Sequence, residues 1–293
     1  MPGGWTTWIL ASAVMLALYD LAKKASVNAN AVIPTLLFST IAGSGAFLVA
    51  LAFAGRLGAS ASAVTPEIAA LAAVKTTIVG TSWVFTFRAL RTLPISIATP
   101  IRASAPALVF VAALFLYGEV PSALQGIGMA CIFAGYFLFS WAGRHEGIDF
   151  FRSRAVWCAV AGMCCSAASS LWDKYVFQVR GANVEAVQLL FQVGLVLFYA
   201  LALSARNFLG LRADRFEWRW TIPLVGVLLA GADWLLFKGI SEPGVPISVA
   251  SLLRRFSVVL TFFLGAKFFH ETNLARKTLA LAAILLGVLL ICL

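Results

Sequence analysis

Three arginines inside long apolar stretches are the residues best suited to binding chemistry. Arg254 and Arg255 lie within the stretch 246–271, and Arg102 lies within the stretch 94–119. A guanidinium at membrane depth is costly, and it persists where it faces a cavity, a partner or a ligand. Its planar set of N–H donors matches a phosphate or a carboxylate. The pattern therefore predicts a binding site for a small anion.

The two arginine-bearing stretches are copies of one helix. Residues 94–98 read PISIA and residues 246–250 read PISVA, and at the same offset Arg102 falls on Arg254. We expect the two helices to face each other across a cavity that holds the anion. Arg255 is displaced from Arg254 by about 100° around a helix, so we expect only one of the pair to face the cavity.

A structural role is the alternative for these arginines. In that interpretation Arg102 or Arg254 pairs with Asp233, or with backbone carbonyls that are freed near Pro100 and Pro106. Asp233 is one of few carboxylates near the apolar segments. The sequence leaves both roles open.

Lys75 and four aromatic residues complete the set of candidate binding residues. Lys75 lies inside an apolar segment, where it either lines the pathway or extends toward the membrane interface. Aromatic rings at repeat-related positions could stack on a ligand ring or a guanidinium, or could be packing and interfacial residues. These rings belong to Trp83 and Trp234, and to Tyr19 and Trp172.

Two carboxylates near segment ends are assigned to local ion pairs. Asp20 precedes Lys23 and Lys24 by about one helical turn, and Asp173 adjoins Lys174. Asp20 and the two lysines have the spacing at which an ion pair stabilises a helix without any ligand, and Asp173 beside Lys174 calls for the same caution. We therefore do not count these carboxylates among the binding residues.

The composition is that of an integral membrane protein. Of the 293 residues, 61% are hydrophobic and 12% are charged, about half the charged share of a typical soluble domain. Uniformly apolar runs of about 20 residues predict helices rather than a barrel. We predict an all-α membrane protein with ten transmembrane helices. Their spans are 5–22, 31–55, 67–87, 95–117, 122–142, 155–173, 184–205, 219–237, 246–268 and 274–292.

The ten segments divide into two units of five. Beyond the arginine helices, Tyr19-Asp20 matches Trp172-Asp173 and Asn30 matches Asn183 at nearly the same offset. Because five is odd, the second copy enters the membrane from the opposite side, which makes an inverted repeat. We predict a first unit at residues 1–147 and a second unit at residues 148–293.

The distribution of Lys and Arg sets the orientation. Odd-numbered connections, with the segment ends beside them, hold fourteen basic residues, whereas even-numbered connections hold four. The positive-inside rule then places the odd connections in the cytoplasm and both termini outside. The net charge of +10 thus reflects topology, and we expect no nucleic-acid partner.

The ten-segment, five-plus-five pattern resembles the drug/metabolite transporter superfamily, in particular its bacterial EamA-like branch. Locally, Ile101-Arg102-Ala103 before Pro106, with Leu253-Arg254-Arg255 before Val258, resembles the basic positions of plastid phosphate translocators. That resemblance implies that Arg102, Arg254 and Arg255 bind a substrate phosphate. The chain has arginine where that family often has lysine.

These observations predict a secondary transporter of a small phosphorylated or carboxylated metabolite, located in the bacterial inner membrane as a monomer or homodimer. We expect alternating access and exchange, because an empty closed cavity would bury several guanidinium groups with few acids. The alternatives are an EamA-like exporter of amino acids or amphipathic metabolites, and a flippase of lipid-linked anions. We expect no enzyme, no metal and no cofactor, because the sequence has no nucleophile–base pair and no metal-ligand spacing.

Overall fold

The computed structural model shows helices throughout the part of the chain that it describes. Among the described residues there is no β-strand. The described residues are 4–27, 30–92, 105–118, 122–141, 153–210, 215–257, 259–261, 264, 279, 282–287 and 289–290.

Ten helices follow one another over most of this length. In chain order they are α1 (Gly4–Val27), α2 (Val32–Phe53), α3 (Leu57–Ser62), α4 (Pro66–Thr92), α5 (Ala105–Tyr117), α6 (Ala123–Trp141), α7 (Arg154–Lys174), α8 (Val184–Phe208), α9 (Thr221–Ser241) and α10 (Ile247–Arg254). A π-helical turn, Tyr175–Val179, extends α7. Single-turn π segments of this kind often occur at functional sites.

Six of these helices are long and apolar enough to cross a membrane, namely α1, α2, α4, α7, α8 and α9. The prediction of a multi-pass, all-α membrane protein is therefore confirmed. The predicted fourth, fifth, ninth and tenth spans each include residues outside the described ranges. The number of ten transmembrane helices stays a prediction.

Helix starts are set by capping side chains in the short connections. The side chain of Asn183 accepts hydrogen bonds from the amides of Glu185 and Ala186 and so caps α8. Thr65 accepts a hydrogen bond from the amide of Ile68, and Pro66 occupies the first position of α4, where its missing N–H costs nothing. The sequence thus fixes where each of these helices enters the bundle.

The helices of the two sequence halves interleave rather than form separate bundles. Helix α1 packs along α9, and α4 packs along α7. Helix α2 also contacts α9, just as α8 contacts α4, and α10 contacts α1, just as α5 contacts α7. Each of these contacts is therefore matched by one in which the two halves have exchanged places.

Glycines allow α2 and α9 to approach very closely. A Cβ atom added to Gly43 would lie 2.6 Å from the carbonyl oxygen of Gly226, and one added to Gly226 would lie 1.7 Å from the carbonyl oxygen of Ser39. Small residues at such crossings are typical of membrane helices, where close packing rather than water exclusion drives association.

We expect Gly43→Ala to destabilise the protein, because the new methyl group must separate two backbones, at a cost of about 1–3 kcal/mol. Gly45→Ala is the matched control, since Gly45 is exposed on the same helix and an added Cβ meets nothing within 4 Å. Thermal unfolding in detergent measures both variants. A lower melting temperature for Gly45→Ala than for Gly43→Ala would contradict the packing described here.

Candidate functional site

Helices α1, α4, α7, α9 and α10, with Phe191 of α8, line a cavity of about 160 Å³. This volume is close to that of a cavity of about 150 Å³ that holds benzene, and it is well below the roughly 300–1,000 Å³ of drug-sized sites. A compact molecule therefore fits. Hydroxyl groups line much of the wall, and they belong to Ser82, Thr86, Ser166, Ser169, Ser170 and Ser251.

Six charged residues border the cavity in the described part of the chain. The cations are Lys23, Lys75, Arg254 and Arg255, and the carboxylates are Asp173 and Asp233. The lining is therefore net positive. Two of the cations pair directly with the two carboxylates. The cavity therefore contains more negative counter-charge than the sequence alone indicates.

The most deeply buried of these pairs joins Lys75 of α4 to Asp173 of α7. The ammonium donates a hydrogen bond to Oδ1 of Asp173, and the two residues are only 2% and 4% exposed. The same ammonium lies 4.2 Å from the ring centroid of Phe237 and 4.9 Å from that of Phe191. Aromatic faces attract a cation, so these rings help to hold the ammonium away from water.

The π-helical turn is anchored to the end of α9. Within this turn, the Gln178 side chain donates hydrogen bonds to the carbonyl oxygens of Ile240 at 3.0 Å and Val245 at 2.8 Å. These bonds join the end of α7 to the connection between α9 and α10. Asp173 lies two residues before the turn, so its position depends on this anchor.

The second pair joins Arg254 to Asp233. Nη2 of Arg254 donates to Oδ1 of Asp233 at 2.5 Å, and the arginine side chain is 21% exposed. Its Nε is buried and has no hydrogen-bond partner among the described residues. An unsatisfied buried donor is rare in proteins, because it loses its hydration without replacement. The Arg254 guanidinium can therefore donate a further hydrogen bond to an acceptor group.

The structure brings most of the candidate residues together. Tyr19, Lys75, Trp83, Asp233, Arg254 and Arg255 all border the cavity. Both arginines of the pair do so, because the regular helix α10 ends at Arg254 and Arg255 follows in a turn. We expected only one of the two arginines to face the cavity, whereas both border it.

Two tryptophans lie outside the cavity lining, and Arg102 lies outside the described residues. The ring of Trp234 packs edge-on against Trp8, with centroids 6.2 Å apart. Asp233 faces the cavity. Trp234 is the next residue of the helix, so its side chain is rotated about 100° around the helix axis away from the cavity. Trp172 donates a hydrogen bond from its indole nitrogen to the Leu71 carbonyl oxygen at 3.0 Å. This contact fits the packing role that was the alternative to ligand binding.

Lys23 and Asp173 are the charged lining residues that the sequence interpretation left out. Asp173 was assigned to a local pair beside Lys174, but it pairs with Lys75, 98 positions away. The Lys23 ammonium lies 4.4 Å from the Phe87 ring centroid and 5.3 Å from that of Tyr19. The sequence feature that could have drawn attention to Asp173 is the internal repeat, in which Asp173 matches Asp20.

Ion pairs also connect the two halves at one end of the bundle. Glu185 is buried in the first turn of α8, where its carboxylate lies 2.7 Å from Nη1 of Arg56. The hydroxyl of Ser60 donates to the same carboxylate at 3.2 Å. Nearby, Arg180 donates to exposed Glu67, and this hydrogen bond raises the pKa of Arg180 above its ordinary value.

Comparisons with known proteins place this geometry in context. Residues 4–141 match the model of the EamA-like transporter family, which confirms the predicted EamA resemblance over that part of the chain. No curated protein matches the chain. A solved structure titled only "Crystal structure of protein" superimposes with a TM-score of 0.79 over 99% of this chain and 98% of its own, at 16% identity, which shows the fold alone. The likeness to plastid phosphate translocators stays a prediction.

We expect Lys75→Met and Asp173→Leu each to lower stability by about 3–5 kcal/mol, because each leaves a buried charge without its partner. The double variant should regain most of this loss. Glu67→Gln, at the exposed pair with Arg180, is the control and should leave the melting temperature unchanged. Thermal unfolding of the four proteins in detergent tests this. Additive losses in the double variant would contradict direct pairing.

Proposed function

We propose that this EamA-like chain is a membrane transporter that carries a small organic anion through the cavity by alternating access. The match to the EamA-like family indicates a membrane transporter of small molecules. The substrate class and the mechanism are inferred from the cavity.

The observation that carries the anion proposal is the buried Nε of Arg254. Arg254 borders a cavity whose lining is net positive, and its Nε is a charged donor without a hydrogen-bond partner among the described residues. A carboxylate or phosphate oxygen would satisfy this donor and would benefit from the surrounding cations. A cationic substrate would instead meet an excess of like charge.

The aromatic residues of the cavity favour an organic anion over a simple inorganic one. Tyr19, Trp83, Phe191 and Phe237 border the same space as the charges. Trp83 stacks with Tyr199 at a centroid distance of 6.4 Å, which holds its indole ring in place. A compact ligand with one acidic group and a small apolar or ring portion would contact both kinds of surface.

We place this site between two inverted units of five helices, residues 1–147 and 148–293, in a bacterial inner membrane. The packing pattern supports this proposal, because every major contact between α1, α2, α4 or α5 and the second half has a counterpart with the halves exchanged. Inverted units allow alternating access by rocking around a fixed central site. The cytoplasmic position of the odd connections rests on the basic residues alone.

Exchange stays a prediction, and its physical basis is weaker than the sequence indicated. Exchange would follow from the cost of closing an empty cavity around unpaired guanidinium groups. In the described cavity, Asp233 and Asp173 already neutralise Arg254 and Lys75. The empty site therefore carries internal counter-charges that lower the cost of its return.

Export of zwitterionic amino acids is the second candidate function. The two internal ion pairs present two cations and two carboxylates to one cavity. An α-carboxylate and an α-ammonium could replace the internal partners of each pair. The distinguishing property is the net charge of the ligand.

We expect Arg254→Gln to weaken binding of anionic ligands roughly 30- to several thousand-fold, since one desolvated charge-assisted contact contributes about 2–5 kcal/mol. Arg102→Gln should have a similar effect. The test is a thermal-shift screen of purified protein against phosphorylated, carboxylated and zwitterionic metabolites. Ligands that bind the native state raise the melting temperature.

Two further variants serve as controls in this screen. Arg254→Gln combined with Asp233→Asn removes the guanidinium without leaving a lone carboxylate, and it should regain stability but not anion affinity. Arg180→Gln alters an arginine outside the cavity and should bind like the wild type. Stabilisation by zwitterions alone would favour the amino-acid exporter, and undiminished anion binding in Arg254→Gln would contradict the proposed site.

A further inference from the structure

We infer that the segment 215–220, which leads into α9, binds an anionic phospholipid together with the last turn of α8. The segment reads RFEWRW, so charged and aromatic residues alternate along it. None of its six residues borders the cavity. The inference therefore concerns a second ligand, a membrane lipid, and it does not depend on the identity of the transported substrate.

The segment lies where the chain meets the membrane surface. It is part of the connection between α8 and α9, and both helices are long and apolar enough to cross a membrane. Trp220 directly precedes α9, and it is 83% exposed. Tryptophan at the end of a spanning helix is typical of the headgroup region of a bilayer. The segment is therefore at the depth of the lipid headgroups.

Aromatic rings give this site an apolar surface to which both halves of the sequence contribute. Phe38 of α2 stacks on Phe216 with ring centroids 5.3 Å apart, and it meets Trp218 edge-on at 5.6 Å. Trp218 meets Trp220 edge-on at 6.5 Å. Phe38 and both tryptophans stay exposed although they contact one another. Such a surface suits the glycerol backbone and the upper acyl chains of a lipid.

A buried asparagine holds the segment in place. The Asn30 side chain donates a hydrogen bond to the Glu217 carbonyl oxygen at 2.8 Å and accepts one from the Glu217 amide at 2.9 Å. Nη1 of Arg219 donates to the Ala25 carbonyl oxygen at 2.8 Å. These bonds fix the segment to the end of α1 and to the connection that follows it. A site that is already ordered loses less entropy when it binds a ligand.

Arginines give the site its preference for a negative headgroup. Arg215 and Arg219 share the Glu217 carboxylate, at 3.7 Å and 3.3 Å, so the segment keeps a net positive charge. Arg206 adds a third guanidinium in the last turn of α8, and its buried Nε has no acceptor among the described residues. Phosphate oxygens match these donors. A zwitterionic lipid would bring a cation to the same arginines.

The adjacent rings and arginines favour a lipid over a soluble phosphate as the occupant. A soluble phosphate would contact the arginines alone, whereas an anionic lipid contacts both surfaces. The basic residues predict that this end of the bundle faces the cytoplasm, where basic segments beside spanning helices attract anionic lipids. A lipid bound here joins α2 to the α8–α9 connection, so we expect it to stabilise the folded protein.

A lipid titration of the purified full-length protein in an uncharged detergent tests this inference. Phosphatidylglycerol and phosphatidylcholine with identical acyl chains are compared by the lipid concentration that gives half of the rise in melting temperature. We expect phosphatidylglycerol to act at the lower concentration. Arg206→Gln and Arg215→Gln should each raise that concentration about fivefold, the effect of one arginine near an anionic surface. Arg215→Lys should keep the wild-type value.

Arg180→Gln is the matched control, because it removes the same charge beyond the other end of α8 and should leave the lipid preference unchanged. Trp220→Ala should weaken binding of both lipids, since it removes the exposed ring. The Arg215 side chain is 88% exposed, so its variants should fold.

Equal half-maximal concentrations of the two lipids for the wild type would overturn the inference, as would unchanged values in both arginine-to-glutamine variants. Stabilisation by soluble glycerol 1-phosphate as strong as that by phosphatidylglycerol would show a free-phosphate site and would also overturn it. Because the titration uses no transported substrate, a failed metabolite screen counts against the anion transport proposal and not against the lipid site.

Discussion

The ion pair between Lys75 and Asp173 is the interaction on which the rest of the cavity depends. Both groups are almost completely buried in a protein whose surroundings are apolar, so neither charge is tolerable without the other. The pair therefore fixes the register of α4 against α7. Because these helices come from different halves of the sequence, it also fixes the two halves against each other.

A second pair, Arg254 with Asp233, makes this polar centre suitable for binding rather than merely neutral. The two carboxylates offset two cations, and the lining keeps a net positive charge together with an unsatisfied guanidinium donor. Hydroxyl and aromatic groups complete the wall. In our proposal, a small organic anion is the ligand that would use all of these features. The same pairs supply the counter-charges that make an empty site tolerable.

Much of this could be predicted from the sequence, for physical reasons that are local. Runs of apolar residues identify the helices, and the cost of a guanidinium in such a run identifies Arg254 and Arg255. The partner of Asp173 could not be predicted, because a nearby lysine at position 174 offers a local explanation, whereas Lys75 becomes a neighbour only when α4 and α7 pack. The position of the Trp234 side chain could not be predicted from the sequence either. It occupies a place related to that of Trp83, yet Asp233 takes the face that points inward.

The net positive charge of the cavity is the central claim, and the reactivity of one cysteine tests it without knowledge of the substrate. The protein would carry Ser251→Cys in the cavity wall, with Cys131, Cys158, Cys164, Cys165 and Cys292 replaced by serine. Reaction rates with an anionic sulfonate and a cationic ammonium methanethiosulfonate are compared with those at exposed Gly58→Cys. Relative to that reference, the anionic reagent should react faster in the cavity. A preference for the cationic reagent at Ser251→Cys would contradict the account.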